Sequence, residues 1–127
     1  MTNEEMAAWL RRAADKIEPE GAWTQGAPAR NAKGEVVQFA SPEATCWCLT
    51  GAIAVTSTHK WTHWDDPEKW GLFIDHNHSA ILEVTTVALK LLRQWSLAGY
   101  NDTPGRTQSE VVAALRAGAD LAEKEIA

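Results

Sequence analysis

Residues 44–53 read ATCWCLTGAI and bring two thiols within three positions. A cysteine thiolate can act as a nucleophile, ligate zinc or close a disulfide. Which of these is open depends on the element that carries it. Ser41 followed by Pro42 predicts a helix start, because Ser caps and Pro suits the first helical position. A helix over 42–58 places Cys46 and Cys48 in its second turn. The helix dipole acts mainly on the first turn, so it does little for the acidity of either thiol. Residues i and i+2 also point about 200° apart on such a helix, which keeps the two sulfurs from pairing or sharing a metal. His59 falls on the stripe of Cys48, Ala52 and Val55, but roughly 16 Å further along the axis, too far for a Cys–His dyad. The expectation is two free, packed thiols, with Cys48 at least buried. Gly51 and Ala52 leave room there for a neighbouring helix.

All four histidines lie between 59 and 78. His59 and His63 have the i, i+4 spacing of one helix face, and His76 and His78 that of one side of an extended segment. Asp65, Asp66 and Asp75 lie near them in the chain, and zinc accepts such a set in principle. No H-E-x-x-H organises them, and there is no G-x-S-x-G, P-loop or G-x-G-x-x-G. These spacings assign no catalytic residue, no metal ligand and no cofactor. The carboxylates fall mostly on helix surfaces, a solvated-face pattern.

The elements that would position these groups are mainly helical. Thr2 and Glu5 predict a capping box. Met6, Trp9, Leu10, Ala13, Ala14 and Ile17 then recur at helical spacing, giving a helix over 2–18 that stops before Pro19. GAWTQGAPARNAKGE reads as loop, and EVVQFA as half of one short hairpin at most. After the helix over 42–58, Asp66-Pro67 allows one short helical turn. A helix over 79–98 follows, with Ile81, Val84, Ala88, Leu91, Leu92 and Trp95 inward and Gly99 as its C-terminal cap. Its apolar residues run well round the axis, which predicts the central, most buried helix. NDTPGRT reads as a turn, since Asn and Asp bond nearby backbone and Pro-Gly suits a type II turn. Thr107 and Glu110 predict a second capping box and a helix over 107–126, with Val111, Leu115, Ala119, Ala122 and Ile126 inward. The expected fold class is all-α: one compact domain over 1–127, about four helices, at most one short β-hairpin.

Length and composition agree with that size of core. The chain has 127 residues, 45% hydrophobic and 23% charged, ordinary values for a globular domain. No apolar run approaches the ~20 residues that cross a bilayer, and MTNEEMAAWL lacks a secretory apolar stretch. A cytoplasmic, membrane-free protein is expected. The net charge of −5 argues against nucleic-acid binding, which needs several cations on one face. The local basic cluster, Arg11, Arg12 and Lys16, is ringed by Glu4, Glu5, Asp15 and Glu18. The composition is unusual in its seven tryptophans. Trp47, Trp61, Trp64 and Trp70 crowd one stretch, as core filling or as an aromatic contact surface.

LRRAADKIEPE, GAWTQGAPARNAKGE, ATCWCLTGAI and YNDTPGRTQSEVVAALRAGADLAE together resemble an uncharacterised family of small proteins from bacteriophages and phage-rich bacterial genomes. The resemblance covers about three-quarters of the chain, and the N-D…R-T…E-V element is its most specific piece. It implies a compact, mostly helical cytosolic protein of phage or prophage origin, and it transfers no activity. Two departures stand out: an alanine splits the usual G-W pair, and the stretch from His59 to Ser79 is expanded and rich in His and Trp. The favoured expectation is a protein that binds a host protein without catalysis, through Trp61, His63, Trp64, Asp65 and Trp70. Tryptophan is enriched at binding hot spots, and the acidic neighbours suit a basic or mixed surface. One alternative is a small-molecule or nucleotide binder or hydrolase, with Trp23, Gln25, Asn101, Asp102 and Arg106 around a pocket. Arg106 is not needed for the turn and is free to pair with Asp102 or with an anionic ligand. Another alternative is a metal-dependent enzyme using the histidines.

Overall fold

The computed structural model describes residues 1–57 and 70–125, with 70–79 and 125 as backbone. In chain order its elements are α1 (Asn3–Ile17), β1 (Ala29–Asn31), β2 (Val36–Val37), β3 (Ala44–Trp47), α2 (Leu49–Val55), α3 (Trp70–Leu92), α4 (Leu97–Asp102) and α5 (Gln108–Glu125). The molecule is mostly helical, but it also carries a three-stranded antiparallel sheet of order β2-β1-β3. The all-α expectation needs that correction.

The two outer helices form as their sequences predict. The Thr2 hydroxyl accepts from the Glu5 N–H at 3.1 Å, and the Glu5 carboxylate accepts from the Thr2 N–H at 3.2 Å. The same box opens α5, where Glu110 N–H donates to the Thr107 hydroxyl at 3.2 Å and Thr107 N–H to Glu110 Oε1 at 2.9 Å. These bonds satisfy amide donors that a helix start leaves without partners. α1 buries Met6, Ala7, Trp9, Leu10, Ala13, Ala14 and Ile17, and α5 buries Val111, Val112, Leu115, Ala119 and Ala122. These stripes pack on each other; a Cβ on Gly118 would already touch Leu10 Cδ1 at 3.4 Å. Gln108 ties the pair at one end, its amide donating to the carbonyls of Ile17 at 2.6 Å and Pro19 at 2.7 Å. It thereby caps the carbonyl end of α1. α1, rather than the helix over 79–98, packs most extensively among the described residues, against α2, α3 and above all α5. Ile126 lies outside the described residues.

The middle of the chain departs from expectation. Ser41 does act as a local cap, its hydroxyl accepting from Glu43 N–H at 3.1 Å. The turn it makes is not continued as a helix. Residues 44–47 instead form β3, pairing Ala29 with Trp47 and Arg30 with Cys46. Thr and Trp suit a pleated, half-buried surface, and pairing with β1 leaves Trp47 only 8% exposed. The hairpin of β1 and β2 is closed by Asn31, whose Oδ1 accepts from the Lys33 and Glu35 N–H groups at 3.0 Å. The predicted helix over 42–58 is thus reduced to α2, a seven-residue helix.

The third predicted helix is displaced. α3 ends at Leu92, and Arg93 follows with φ 53°. Gly99, expected to end that helix, lies inside α4. Ser96 starts α4 by accepting from the Gly99 N–H at 2.9 Å. Leu97 is buried and Trp95, expected inward, is 100% exposed. A serine cap and an apolar first residue reset the helix where periodicity alone ran straight on.

Candidate functional site

α4 carries Asn101 into the centre of the residues that the sequence groups together. Asn101 is 0% exposed, the one buried polar side chain among the described residues. Its Oδ1 accepts from the indole N–H of Trp23 at 2.6 Å and from the backbone N–H of Leu49 at 3.1 Å. Its amide donates to the Thr24 carbonyl at 3.0 Å and to Asp102 Oδ1 at 2.9 Å. Two obligate donors on one side and two obligate acceptors on the other define which end is oxygen. They also fill both acceptor and both donor positions of the side chain. A buried amide needs such partners, since each unmet group costs about 1–3 kcal/mol.

The neighbours close the same knot. Gln25 donates from Nε2 to the carbonyls of Asn101 at 2.9 Å and Thr103 at 3.3 Å. Asp102 Oδ1 accepts from the Gly26 N–H at 2.9 Å, where Gly26 holds φ 77°. Arg106 stacks on the Tyr100 ring at 3.8 Å and donates from Nε to the Tyr100 carbonyl at 3.0 Å. Its ion-pair partner is Glu110 at 3.4 Å, in place of the Asp102 pairing weighed from the sequence. Bonds from the Thr107 backbone and hydroxyl hold the Glu110 carboxyl below its ordinary range, with Arg106 adding to the effect. Trp23, Gln25, Asn101 and Asp102 are therefore brought together, with Arg106 beside them. Their hydrogen bonds staple the 23–26 loop onto α4 and the start of α2.

That staple reaches the thiols. Cys48 is the N-cap of α2, and its sulfur accepts from the Gly51 N–H at 3.3 Å. The sequence-based placement of Cys48 in a second turn is overturned, since the residue sits at the helix start. Its acidity is nonetheless not enhanced. Burial pushes the thiol pKa up, the Gly51 and Thr50 N–H groups pull the other way, and the Asp102 charge adds to the rise. Desolvation wins, so the thiol is protonated at neutral pH. Cys46 lies on β3, half-buried, its thiol 3.7 Å from the Arg30 carbonyl. Both cysteines are free, as expected. Gly51 is the tightest point of the region: a Cβ there would stand 2.1 Å from the Pro28 carbonyl oxygen. The same carbonyl accepts from the Cys48 N–H at 3.1 Å. Glycine therefore permits the approach of α2 to the chain just before β1.

Three tryptophans spend their N–H inside the fold. Trp9 donates to the Ile53 carbonyl at 2.7 Å, Trp47 to the Phe39 carbonyl at 2.8 Å, and Trp23 to Asn101. Lys16 lies over the Trp47 ring at 4.3 Å. Trp61, His63, Trp64 and Asp65 lie outside the described residues, as do His59 and the side chains of Trp70, His76 and His78. Among the described residues no group of three or more His, Cys, Asp or Glu could hold a metal ion, and no helix is long and apolar enough to cross a membrane. The exposed Trp95 was missed because helical periodicity carried α3 past Leu92. Ser96, three residues before Gly99, was the available signal.

One family model, described as a family of unknown function (DUF6197), matches residues 1–121. No curated protein and no solved structure matches the chain.

Proposed function

The chain belongs to this family of unknown function, and we propose that it is a phage- or prophage-encoded accessory protein that works by binding a host protein in the cytoplasm. The observation that carries this reading is the inward use of the knot. Asn101 has both acceptor and both donor positions filled by protein groups, and the Trp23 N–H is spent on it. Such an arrangement serves to hold a loop and a short helix in one geometry, which favours presentation of a surface over turnover of a substrate. The proposed contact residues are Trp61, His63, Trp64, Asp65 and Trp70, chosen for the hot-spot character of tryptophan beside acidic residues. The test is capture from host lysate by the wild-type protein and by a Trp61→Ala/Trp64→Ala variant. The expected result is loss of a captured host protein with little change in melting temperature. A large drop in melting temperature would make both tryptophans core residues and remove them from the contact surface.

A second reading, a small molecule bound where Trp23, Gln25, Asn101 and Asp102 converge beside Arg106, would have to displace these inward bonds. Nucleotides added to the purified protein should then raise its melting temperature in proportion to the logarithm of their concentration. A flat response across nucleotides would remove this alternative.

A further inference from the structure

Trp95 stands in the short linker between α3 and α4 and is 100% exposed. A tryptophan left in water forgoes the burial that makes it useful to a core. The linker around it is held at both ends. Leu92 packs against the core, Leu97 is buried, and Ser96 caps α4. Arg93 ends α3 in the left-handed region, φ 53°, with its N–H donating to the Leu89 carbonyl at 2.9 Å. That is the left-handed helix stop in which glycine is usual, and an arginine there is strained. A strained residue next to a fully exposed indole points to a surface kept for contact.

The cations nearest the indole along the chain, Lys90 in the last turn of α3 and Arg93 at its end, suggest what it would contact. Lys90 and Arg93 are both exposed, and neither forms an ion pair with a described residue. By contrast, Arg11 and Arg116 are each engaged by two carboxylates across α1 and α5. We propose that Lys90, Arg93 and Trp95 form a docking point for an acidic peptide segment of a partner protein, one that carries an apolar or aromatic residue beside its carboxylates. Two cations complement two carboxylates, and the indole supplies the apolar anchor. A nucleic acid strand could stack on the same indole, but tracking its phosphates needs a run of cations. Here two stand on a chain of net charge −5. The pre-set linker reduces the ordering cost of the contact. This proposal rests on Lys90, Arg93 and Trp95, and its test reads those residues.

The test is selection of a random display library of short peptides on the immobilised full chain, followed by fluorescence anisotropy with the enriched peptides. Enriched peptides should be rich in Asp and Glu with an aromatic or apolar residue. Their affinity should fall about tenfold or more with Trp95→Ala, fall with Arg93→Gly, and weaken as salt is raised. Arg93→Gly suits the positive φ, so its melting temperature should hold or rise while binding is lost, which separates docking from folding. Enriched peptides indifferent to Trp95 and Arg93, or no enrichment at all, would overturn the proposal. So would tighter Trp95-dependent binding to oligothymidylate or to phosphatidylserine vesicles than to the acidic peptides.

Discussion

Asn101 holds more of the candidate site together than any other single side chain described. Removing it strands the Trp23 and Leu49 N–H groups and the Thr24 carbonyl. Asn101→Ala should therefore cost about 3 kcal/mol or more, read as a fall in the urea midpoint at unchanged slope. Loss of well under 1 kcal/mol would show that water replaces the amide. Cys48 makes a different prediction because it both packs and caps. Cys48→Ala should cost about 1 kcal/mol or somewhat more, whereas Cys48→Ser keeps an acceptor for the Gly51 N–H and should recover most of that loss. In native protein a bulky thiol reagent should modify Cys48 slowly, since the sulfur is buried and held protonated. The grouping of Trp23, Gln25, Asn101, Asp102 and Arg106 was legible from residue types and motif resemblance. The identity of each partner was not, because the bonds that tie residues 23–26 to α4 span 76 to 78 positions and the one from Leu49 spans 52.

At the scale of elements, the helices with capping boxes were legible and those without were displaced. Thr2 with Glu5 and Thr107 with Glu110 announce their starts locally, since cap and carboxylate lie within one turn. β3 had no such announcement. ATCW is short, and its choice between strand and helix turns on whether β1 is there to pair with it. The closeness of α2 to β1 yields a sharp prediction. Gly51→Ala places a Cβ 2.1 Å from the Pro28 carbonyl oxygen, so α2 or the chain before β1 must move. The variant should be destabilised by about 3 kcal/mol or more, or fail to accumulate as folded protein. Wild-type stability in this variant would mean that the two elements separate freely.

For the whole molecule, α1 and α5 form the frame, and the carboxylates bonded along and between them contribute to its response to acid. Glu18 is held below the ordinary carboxylate range by its bond to Arg116, Glu123 by its bond to Arg11, and Glu110 by its bonds from Thr107. A carboxyl with a depressed folded-state pKa contributes stability above its unfolded value, about 4.5, and loses it as pH falls through the folded value. The melting temperature should therefore hold from neutral pH down to about 5 and fall below about 4.5. Glu110→Gln should flatten that fall; an unchanged acid limb would show that solvent screens these pairs out. By itself, the sequence determined what depends on neighbours within a turn or two. That covers the amphipathic stripes of α1 and α5 and their caps. The tertiary structure alone decided what depends on distant surfaces. It paired residues 44–47 with β1, moved Cys48 to a helix start, ended α3 at Arg93 and left Trp95 outside. It also turned Asn101 from a loop asparagine into a buried amide with all its bonds made. Local periodicity carries no information about which distant backbone supplies a hydrogen-bond partner, and that partner is what selects among locally similar alternatives.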